Sequence, residues 1–563
     1  MLIVNPVFDQ AMAEKPTVVI IGSGFGGSVF ACRLAESGRY SVHVLERGRR
    51  YNRNEFPRRT DQLEQAFWEP RRGLFGMFEY QSFPKTDIDV LTASGLGGGS
   101  LIYANVLYEM PPEFFEGWPG GIRRPTLDPY YDRVHRMMES RAYPVDEPGW
   151  PYAATPKTRA LQLAGQRLAA DSLGHPAAEL EWPRLAIQFG PHPGDELVNA
   201  QGVKQTACVM CGECDIGCNY HAKNTLDLNY LARATNYGAS IHTHAEVRAI
   251  RPAADGGYRV VYCDPRDRSR SEEIEARYVV VSAGSLGSTK LLLRMRHAGE
   301  LPRLSGSLGT QWCGNGDLLG FSFRSEEPIY PSTGPVITGA IRFYHARYPD
   351  GFPHGLFVED AGIPNLMAWY LAGMAPSPGA VVQSLKGAAE YAKGFVAKRE
   401  VNLGDELGPL LFHESRLVSR TMIFLGMGRD RSTGVFRLEP NGSGPLGWDQ
   451  DGEIQLDWDV APSRLHFDRT RDAMQRMTDA LGGEFAENPL SFLTKYVAVH
   501  PLGGCPMGDS ERNGVVDART GEVFGHPGLY VADGSVLPTA VGPNPSLTIA
   551  ALAEMFTERF PGS

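Results

Sequence analysis

A glycine-rich turn between an apolar run and a helix-like segment constrains this chain more than any other feature of its sequence. Residues 18–21 (VVII) are continuously apolar, as expected of a buried parallel strand. Residues 22–27 (GSGFGG) follow with glycines in the pattern G-x-G-x-x-G, and residues 28–36 have the composition of a helix. A second apolar run, residues 42–45, ends in Glu46. This order predicts a βαβ unit with a parallel sheet.

Each residue type in this segment suits one part of a dinucleotide. Gly22 permits the tight turn, Gly24 lets the main chain approach a pyrophosphate, and Gly27 allows close packing of helix on strand. The helix that follows presents its positive N-terminus to the phosphate charge. Glu46 is at the right distance along the chain to accept hydrogen bonds from an adenosine ribose. The segment predicts a dinucleotide site, but it does not choose between FAD and NAD.

Five further segments make that choice. They are residues 95–101 (GLGGGSL), 279–284 (VVVSAG), 500–505 (HPLGGC), 529–535 (LYVADGS) and 541–549 (VGPNPSLTI). In this order and spacing they resemble the glucose–methanol–choline (GMC) flavoenzymes, and within them the cholesterol-oxidase branch. The resemblance implies a discontinuous FAD domain beside a substrate domain built on an antiparallel sheet. Many members of the family have asparagine where this chain has Tyr103.

The resemblance also implies roles for individual residues. It places Asp533 near the phosphate or ribityl chain of FAD and Val247 near the adenine. His500 and Asn544 correspond to the catalytic pair that faces the flavin ring, and Asn544 also contacts the cofactor. Glu359 resembles the glutamate base with which cholesterol oxidases also move a ring double bond; the alternative is an ordinary acid at a strand end. The other implied FAD-binding residues are Gly97, Gly98, Gly99, Ser100, Ala283, Gly284 and Gly534.

The implied chemistry suits these residue types. Oxidation of an alcohol removes a hydroxyl proton and passes hydride to flavin N5, and histidine is a natural base for the first task. Pro501 biases His500 toward an extended main chain, which is compatible with a side chain that projects from a loop. Asn544 and Pro545 also fit the cap and first position of a helix, so Asn544 is expected either to cap that helix or to contact the substrate.

Four cysteines form a local cluster with the spacing C-x2-C-x2-C-x3-C: Cys208, Cys211, Cys214 and Cys218. Bacterial ferredoxins hold iron–sulfur clusters with this spacing, although Pro follows their fourth cysteine and Asn219 follows here. Some flavin sugar dehydrogenases of the same superfamily carry a cluster in a comparable segment. Zinc fits the spacing less well, and metal-free thiols packed beside the FAD domain are a further alternative. A cluster would pass electrons to a protein or quinone, whereas without it oxygen could be the acceptor.

Composition excludes some partners. The chain has 55 Lys and Arg residues against 65 Asp and Glu, a formal net charge of −10, which argues against nucleic acid. Residues 1–16 lack the pattern of a signal peptide, and we expect a cytoplasmic protein. Residues 361–385 carry no charged side chain, but their prolines make a membrane-spanning helix a poor interpretation. We expect instead a flap that covers an apolar substrate, a patch that rests on a membrane surface, or a buried loop.

These observations together predict an α/β protein with two domains. Residues 1–110, 206–304 and 490–563 are expected to form the FAD-binding domain, and residues 111–205 and 305–489 the substrate-binding domain. The expected function is oxidation of a hydrophobic, sterol- or terpenoid-like alcohol by hydride transfer to FAD. The alternatives are a sugar dehydrogenase of the same superfamily, a lyase of the hydroxynitrile type, and an electron-transfer flavoprotein without a small-molecule substrate.

Overall fold

The architecture is taken from a computed structural model. It describes residues 15–145, 147, 150–152, 155–170, 177–254, 256–344, 347–364, 415–439, 452–488 and 496–561. The stretch 361–385, which the sequence marks as a flap or membrane patch, lies outside the described residues from position 365 onward. Within the described ranges, no helix has both the length and the apolar character needed to cross a membrane.

The strand that precedes the glycine turn belongs to a parallel sheet of five strands. Its central strand, Thr17–Ile21, pairs with Ser41–Glu46 on one side and with Tyr278–Val281 on the other. Ser240–Thr243 and Leu529–Val531 complete the two edges. Because all five strands run in the same direction, the turns after their carboxyl ends meet at one edge of the sheet.

Helices pack around this sheet. Phe25–Ser37 follows the glycine turn and packs against Tyr230–Asn236 and Ser546–Thr557. Ser546–Thr557 also packs against Arg124–Met137. Gly284–His297 follows the strand that ends in the Ala-Gly pair. The sequence-based expectation of a Rossmann-like α/β unit is thereby confirmed.

The carboxylate of Glu554 connects these helices through buried hydrogen bonds. It is fully buried and accepts hydrogen bonds from Arg33 at 2.7 and 2.8 Å, from the hydroxyl of Tyr230 at 2.8 Å and from Arg133 at 3.3 Å. Arg33, Tyr230 and Arg133 lie on three different helices. A buried carboxylate is stable only when it is paired and hydrogen-bonded in this way.

An antiparallel sheet of six strands forms the second layer of the molecule. In spatial order its strands are Glu484–Glu487, Leu318–Phe323, Met422–Gly428, Gly355–Ala361, Ala340–Tyr344 and Ala178–Glu181. Helices Pro156–Ala170 and Arg464–Ala480 pack against it. This sheet confirms the expected antiparallel component of the fold.

Smaller elements complete the described structure. A three-stranded antiparallel meander consists of Glu246–Pro252, Tyr258–Asp264 and Asp267–Ala276. The remaining paired strands are Tyr496–Ala498, Ile88–Ala93, Phe78–Ser82, Val106–Leu107, Arg184–Leu185, Arg141–Ala142, Glu196–Val198, Lys204–Thr206, Val435–Glu439, Glu453–Asp457, Met507–Gly508, Val516–Asp517, Trp68–Glu69 and Leu74–Phe75. Short helical turns at Gly98–Leu101, Cys214–Ile216, Ser415–Val418 and Gly534–Val536 lie between larger elements.

Candidate functional site

The glycine turn lies at the carboxyl edge of the parallel sheet, and most of its glycines are required by close packing. A Cβ on Gly22, whose φ is +98°, would lie 2.3 Å from the carbonyl oxygen of Ser282. A Cβ on Gly27 would lie 2.2 Å from the carbonyl oxygen of Gly22. By contrast, a Cβ on Gly24 would meet no other atom within 4 Å. The open space therefore lies at Gly24, where a pyrophosphate is expected to approach the helix N-terminus.

Glu46 ends the strand next to this turn and joins it to the glycine-rich loop. Its carboxylate accepts hydrogen bonds from the amide and hydroxyl of Ser23 at 3.1 and 2.6 Å, and from the amides of Gly48 and Gly95 at 2.9 and 3.3 Å. These donors engage about four acceptor positions, the usual capacity of a carboxylate. A ribose that bound Glu46 would therefore have to replace one of them.

The glycine-rich loop, residues 95–101, lies directly on the first turn. Gly97 has φ +108° and donates its amide to the Ser23 hydroxyl at 3.0 Å. A Cβ on Gly98 would lie 2.7 Å from the Cα of Gly24, so the two glycine segments are in main-chain contact. Ser100 donates to the carbonyl of Gly97 at 2.7 Å and fixes the loop, whereas the space beside Gly99 is open.

Asp533 and the predicted cofactor residues that it contacts lie at the same edge of the sheet. Asp533 is buried and accepts hydrogen bonds from the amide of Gly284 at 2.9 Å, the hydroxyl of Ser288 at 2.5 Å and the amide of Ser535 at 2.8 Å. Burial raises the pKa of Asp533, while these donors act in the opposite direction. Asp533 thus joins two of the predicted segments, those that contain Ala283-Gly284 and Gly534.

Val247 lies on the strand Glu246–Pro252, and the residue just before this strand contacts the end of the strand that carries Glu46. The amide of Ala245 donates to the carbonyl of Glu46 at 2.9 Å, and Val247 itself is half-buried. The residue expected near the adenine is therefore close to the residue expected near the ribose.

His500 is held by a carboxylate that the sequence did not identify. Its Nδ1 lies 2.8 Å from Oδ1 of Asp317, and the amides of Val499 and His500 donate to Oδ2 at 2.7 and 2.9 Å. Because a carboxylate oxygen accepts hydrogen bonds, this contact favours the tautomer of His500 with its hydrogen on Nδ1 and its lone pair on Nε2. Asp317 is almost completely buried, while the ring of His500 is partly exposed.

Asn315 connects the His500 region to the segment that carries Asn544. Its Oδ1 accepts from the amides of Val541 and Gly542 at 3.0 and 3.2 Å, and its Nδ2 donates to the carbonyls of Gly542 and Pro543 at 3.2 and 3.0 Å. Asn315 and Asp317 are two residues apart. One short segment therefore holds both predicted catalytic residues in place.

Asn544 and Glu359, which are 185 positions apart in the chain, are brought together. Asn544 Nδ2 donates to Oε2 of Glu359 at 3.4 Å. Oε1 of Glu359 and Oδ1 of Asn544 are buried and have no hydrogen-bond partner in the described part of the chain. Burial raises the pKa of Glu359 well above its usual range, and the charge of Asp317 acts in the same direction. Burial therefore favours the protonated form of Glu359.

One alternative for Asn544 is excluded by the geometry. The last helix, Ser546–Thr557, begins one residue later than expected, with Pro545 at the cap position and no side-chain cap. Asn544 does not cap it, because its side chain points to Glu359.

The surroundings of this pair are aromatic. A Cβ on Gly542 would lie 2.4 Å from the ring of Phe114 and 3.4 Å from that of Phe357, so both rings pack close to this glycine. Phe357 also makes an edge contact with Tyr108, with 5.1 Å between ring centroids. Aromatic side chains thus lie close in sequence or space to the segments that carry Glu359 and Asn544.

The four cysteines at positions 208, 211, 214 and 218 line one pocket, together with Lys223. None of the four forms a disulfide. Among the residues that the structure describes, no three Cys, His, Asp or Glu side chains are arranged to hold one metal ion. Burial raises the pKa of Cys211 to about 12 and that of Cys208 well above its usual range. Without a metal, burial therefore favours the protonated form of the Cys208 and Cys211 thiols.

Sequence reasoning missed three residues that organise the site: Asn315, Asp317 and Lys223. The first two lie in the short run Gly-Asn-Gly-Asp at 314–317, whose glycines indicate a turn but not its partner. Lys223 follows the cysteine cluster and has no distinguishing local pattern.

The sequence is similar to known families and proteins over most of its length. Residues 192–296 and 448–553 match the two models described as GMC oxidoreductase, and residues 20–53 match an NAD(P)-binding Rossmann-like domain. The chain is 31% identical to a cholesterol oxidase of Acinetobacter baumannii, over 95% of this chain and 92% of that protein. It is 26% identical to a 2-methyl-1,2-propanediol dehydrogenase of Mycolicibacterium austroafricanum, over 96% and 94% of the two chains.

Solved structures show the same fold. A pyridoxine 4-oxidase from Mesorbium loti superposes with a TM-score of 0.55 at 18% identity, over 98% of this chain and all of that one. The identity to the cholesterol oxidase over nearly the full length of both proteins is sufficient to establish the family. The chain therefore belongs to the GMC oxidoreductase family, as an FAD-dependent alcohol oxidoreductase.

Proposed function

We propose that this protein oxidises the CH–OH group of a hydrophobic, sterol- or terpenoid-like alcohol, with His500 as the base. The observation that carries the proposal is that one segment, residues 314–317, contacts two regions with predicted catalytic residues. Its Asp317 binds His500, and its Asn315 binds the main chain of residues 541–543, next to Asn544. The side chain of Asn544 in turn donates to Glu359. Polar side chains from distant parts of the sequence are thus brought together, as a catalytic site requires. A purely electron-transferring flavoprotein would not need such an arrangement.

The residues of this chain fit FAD at the carboxyl edge of the parallel sheet. We assign the open space at Gly24 and Gly99 to the pyrophosphate and Asp533 to the phosphate–ribityl chain. We assign Glu46 to the ribose, whose hydroxyl would replace one of the donors that Glu46 now accepts. When bound, FAD supplies the acceptor for the hydride. We assign residues 1–110, 206–304 and 490–563 to its domain, and residues 111–205 and 305–489 to the substrate domain.

Side chains of the protein accept the hydroxyl proton of the substrate in this proposal. Asp317 holds the hydrogen of His500 on Nδ1, so the lone pair on Nε2 can take the hydroxyl proton of the substrate. The same carboxylate stabilises the imidazolium that results, as an oriented acid does for a catalytic histidine. Asn544 has two amide donors and orients the substrate oxygen with the one that Glu359 does not engage.

Glu359 serves a second step in this proposal. A carboxyl group with a raised pKa is a strong base once ionised, and it lies next to the group that orients the substrate. It would move a proton between two carbons of a ring and so shift a double bond after oxidation. The aromatic side chains Phe114, Phe357 and Tyr108 around the pair favour a bulky apolar substrate over a sugar.

The identity of the electron acceptor depends on whether the four cysteines hold an iron–sulfur cluster. Four thiols at ferredoxin spacing have the donor chemistry of an iron–sulfur cluster, but their placement does not bring three ligands around one metal. We therefore assign no electron-transfer step to a cluster, and we propose oxygen or another small oxidant as the acceptor. Iron and sulfide analysis of anaerobically purified protein tests this point, since a stoichiometric cluster would contradict it.

The experiment that tests the proposed reaction is anaerobic mixing of the holoenzyme with three substrates: a 3-hydroxysteroid, a sugar and a cyanohydrin. We expect the steroid alone to bleach the visible absorbance of the flavin. Bleaching by the sugar alone would favour a sugar dehydrogenase, and cyanohydrin cleavage with the flavin unchanged would identify a lyase.

A further inference from the structure

Lys223 is one of the few lysines with a completely buried ammonium group. Only 1% of the residue is exposed, and its Nζ donates three hydrogen bonds: to the carbonyls of Leu101 at 2.8 Å, Tyr103 at 3.1 Å and Cys214 at 2.7 Å. An ammonium group has three hydrogens, so its donors are fully used. All three acceptors are main-chain carbonyls, and they belong to two different loops.

The first of these loops is the glycine-rich loop expected to lie against FAD. Leu101 ends its helical turn, Gly98–Leu101, and Tyr103 follows two residues later. The ring of Tyr103 lies 5.1 Å from the ammonium, which is within the range of a cation–π contact. A charged donor that satisfies two carbonyls at the end of a turn fixes the path of the chain there.

The residues that follow Lys223 in the chain also contact the glycine-rich loop and Tyr103. The hydroxyl of Tyr103 donates to the carbonyl of Asn224 at 2.8 Å, and the amide of Leu226 donates to the hydroxyl of Ser100 at 3.0 Å. Ser100 in turn bonds the carbonyl of Gly97, which contacts the first glycine turn through Ser23. The segment 223–226 thus supports the glycine-rich loop from behind.

The second loop is the cysteine loop, residues 208–218. Its carbonyl at Cys214 is the third acceptor of Lys223, at the start of the turn Cys214–Ile216. Lys223 also lines the pocket that the four cysteines share. One ammonium group therefore bridges the cysteine loop and the loop expected to hold FAD.

We propose that Lys223 is a positioning residue for FAD, because its ammonium fixes the glycine-rich loop against the cysteine loop. Loss of the ammonium frees three buried carbonyls, two of which belong to the segment 101–103. The glycine-rich loop then loses its rear support, and FAD binds more weakly. The cysteine loop loosens at the same time, so the four thiols become more accessible.

The test uses the purified holoenzyme with Lys223→Met and two measurements: the rate of FAD release, followed by flavin fluorescence, and the rate of thiol labelling by a disulfide reagent. We expect FAD release about 10-fold faster, the factor that corresponds to loss of a charge-assisted hydrogen bond. We also expect faster labelling of the cysteines. Lys223→Arg, which retains the charge, should restore much of the FAD retention.

The matched control is Lys157→Met, which removes a different buried ammonium. Lys157 is also fully buried, but it pairs with Asp360 in the antiparallel-sheet layer. We expect this variant to lower the melting temperature without faster FAD release. If Lys223→Met does not fold, Lys223→Gln provides the same comparison with an uncharged donor.

Two results would overturn the inference. The first is that Lys223→Met releases FAD and reacts with the thiol reagent at the same rates as the native protein. The second is that the Lys157→Met control releases FAD as fast as Lys223→Met does, which would show a general effect of lost stability. Neither measurement uses an alcohol substrate, so this inference fails or succeeds independently of the proposed reaction.

Discussion

Glu359 and Asp360 are consecutive, fully buried residues on one strand, and their carboxyl groups have opposite surroundings. Asp360 accepts hydrogen bonds from Lys157, from the amide and hydroxyl of Thr338 and from the amide of Gly339. Glu359 has one long contact, to Asn544. Successive side chains of a strand point to opposite faces, so Asp360 reaches several donors while Glu359 lies where burial raises its pKa.

Glu359→Gln should separate oxidation from the double-bond shift. Glutamine resembles the protonated acid in shape, so we expect a folded enzyme that oxidises a steroid alcohol and releases the unshifted ketone. In the native enzyme the shift requires the ionised form of Glu359, whose pKa is raised, so its rate should rise with pH. Product analysis by chromatography across pH checks both points. A shifted product from the variant would contradict the assignment.

Asp317→Ala should slow the reaction through His500. The substitution removes the acceptor of Nδ1–H and of two main-chain amides, so the ring loses its fixed orientation. We expect the rate of flavin reduction to fall by about 100-fold, a typical contribution of an oriented base. The double variant with His500→Ala should be no slower than His500→Ala alone, because the two residues act as one unit. Additive losses would show that Asp317 acts elsewhere.

Gly26→Ala and Gly24→Ala should have different effects. A Cβ at Gly26 would lie 1.6 Å from the carbonyl oxygen of Ala532, so we expect Gly26→Ala not to fold. A Cβ at Gly24 meets no protein atom within 4 Å, but it would occupy the space expected for the pyrophosphate. Gly24→Ala should therefore fold and bind FAD weakly. Circular dichroism and the ratio of flavin to protein distinguish the two, and full FAD retention in Gly24→Ala would contradict the site.

Asp430 should make stability depend on pH. Burial raises its pKa to about 7, and the charge of Asp317 acts in the same direction. The folded state therefore holds a proton that the unfolded state releases near pH 4, so this group's stabilisation is lost as pH rises from about 4 to about 7.

The variant Asp430→Asn isolates this effect. Its free energy of unfolding should improve relative to the native protein over that range of pH, as measured by urea denaturation. A difference that does not change with pH would show that Asp430 is ionised throughout.

The fold was predictable where the signals are local. The turn at 22–27 and the segments at 279–284 and 529–535 follow apolar runs, and all of them meet at the carboxyl edge of one parallel sheet. Local patterns also predicted the strand-to-helix order there. The antiparallel sheet was expected only through resemblance, because its strands come from segments spread between residues 178 and 487.

The site was predictable only in part, for a physical reason. His500, Asn544 and Glu359 belong to recognisable segments, whereas their partners are fixed by contacts between distant parts of the chain. Asp317 is 183 positions from His500, and Lys223 reaches Leu101 across 122 positions. No local spacing encodes such contacts. The role of Asn544 could not be chosen from sequence either, because cap and substrate roles share the same residue type.

The most direct test of the account is the rate of flavin reduction in His500→Ala, with FAD bound, after anaerobic mixing with a steroid alcohol that reduces the native enzyme. We predict a loss of about 100-fold or more, because no other group replaces the base at Nε2. The flavin-to-protein ratio should match that of the native protein, since His500 is not among the residues assigned to hold FAD. Flavin reduction at the native rate in this variant would contradict the central claim.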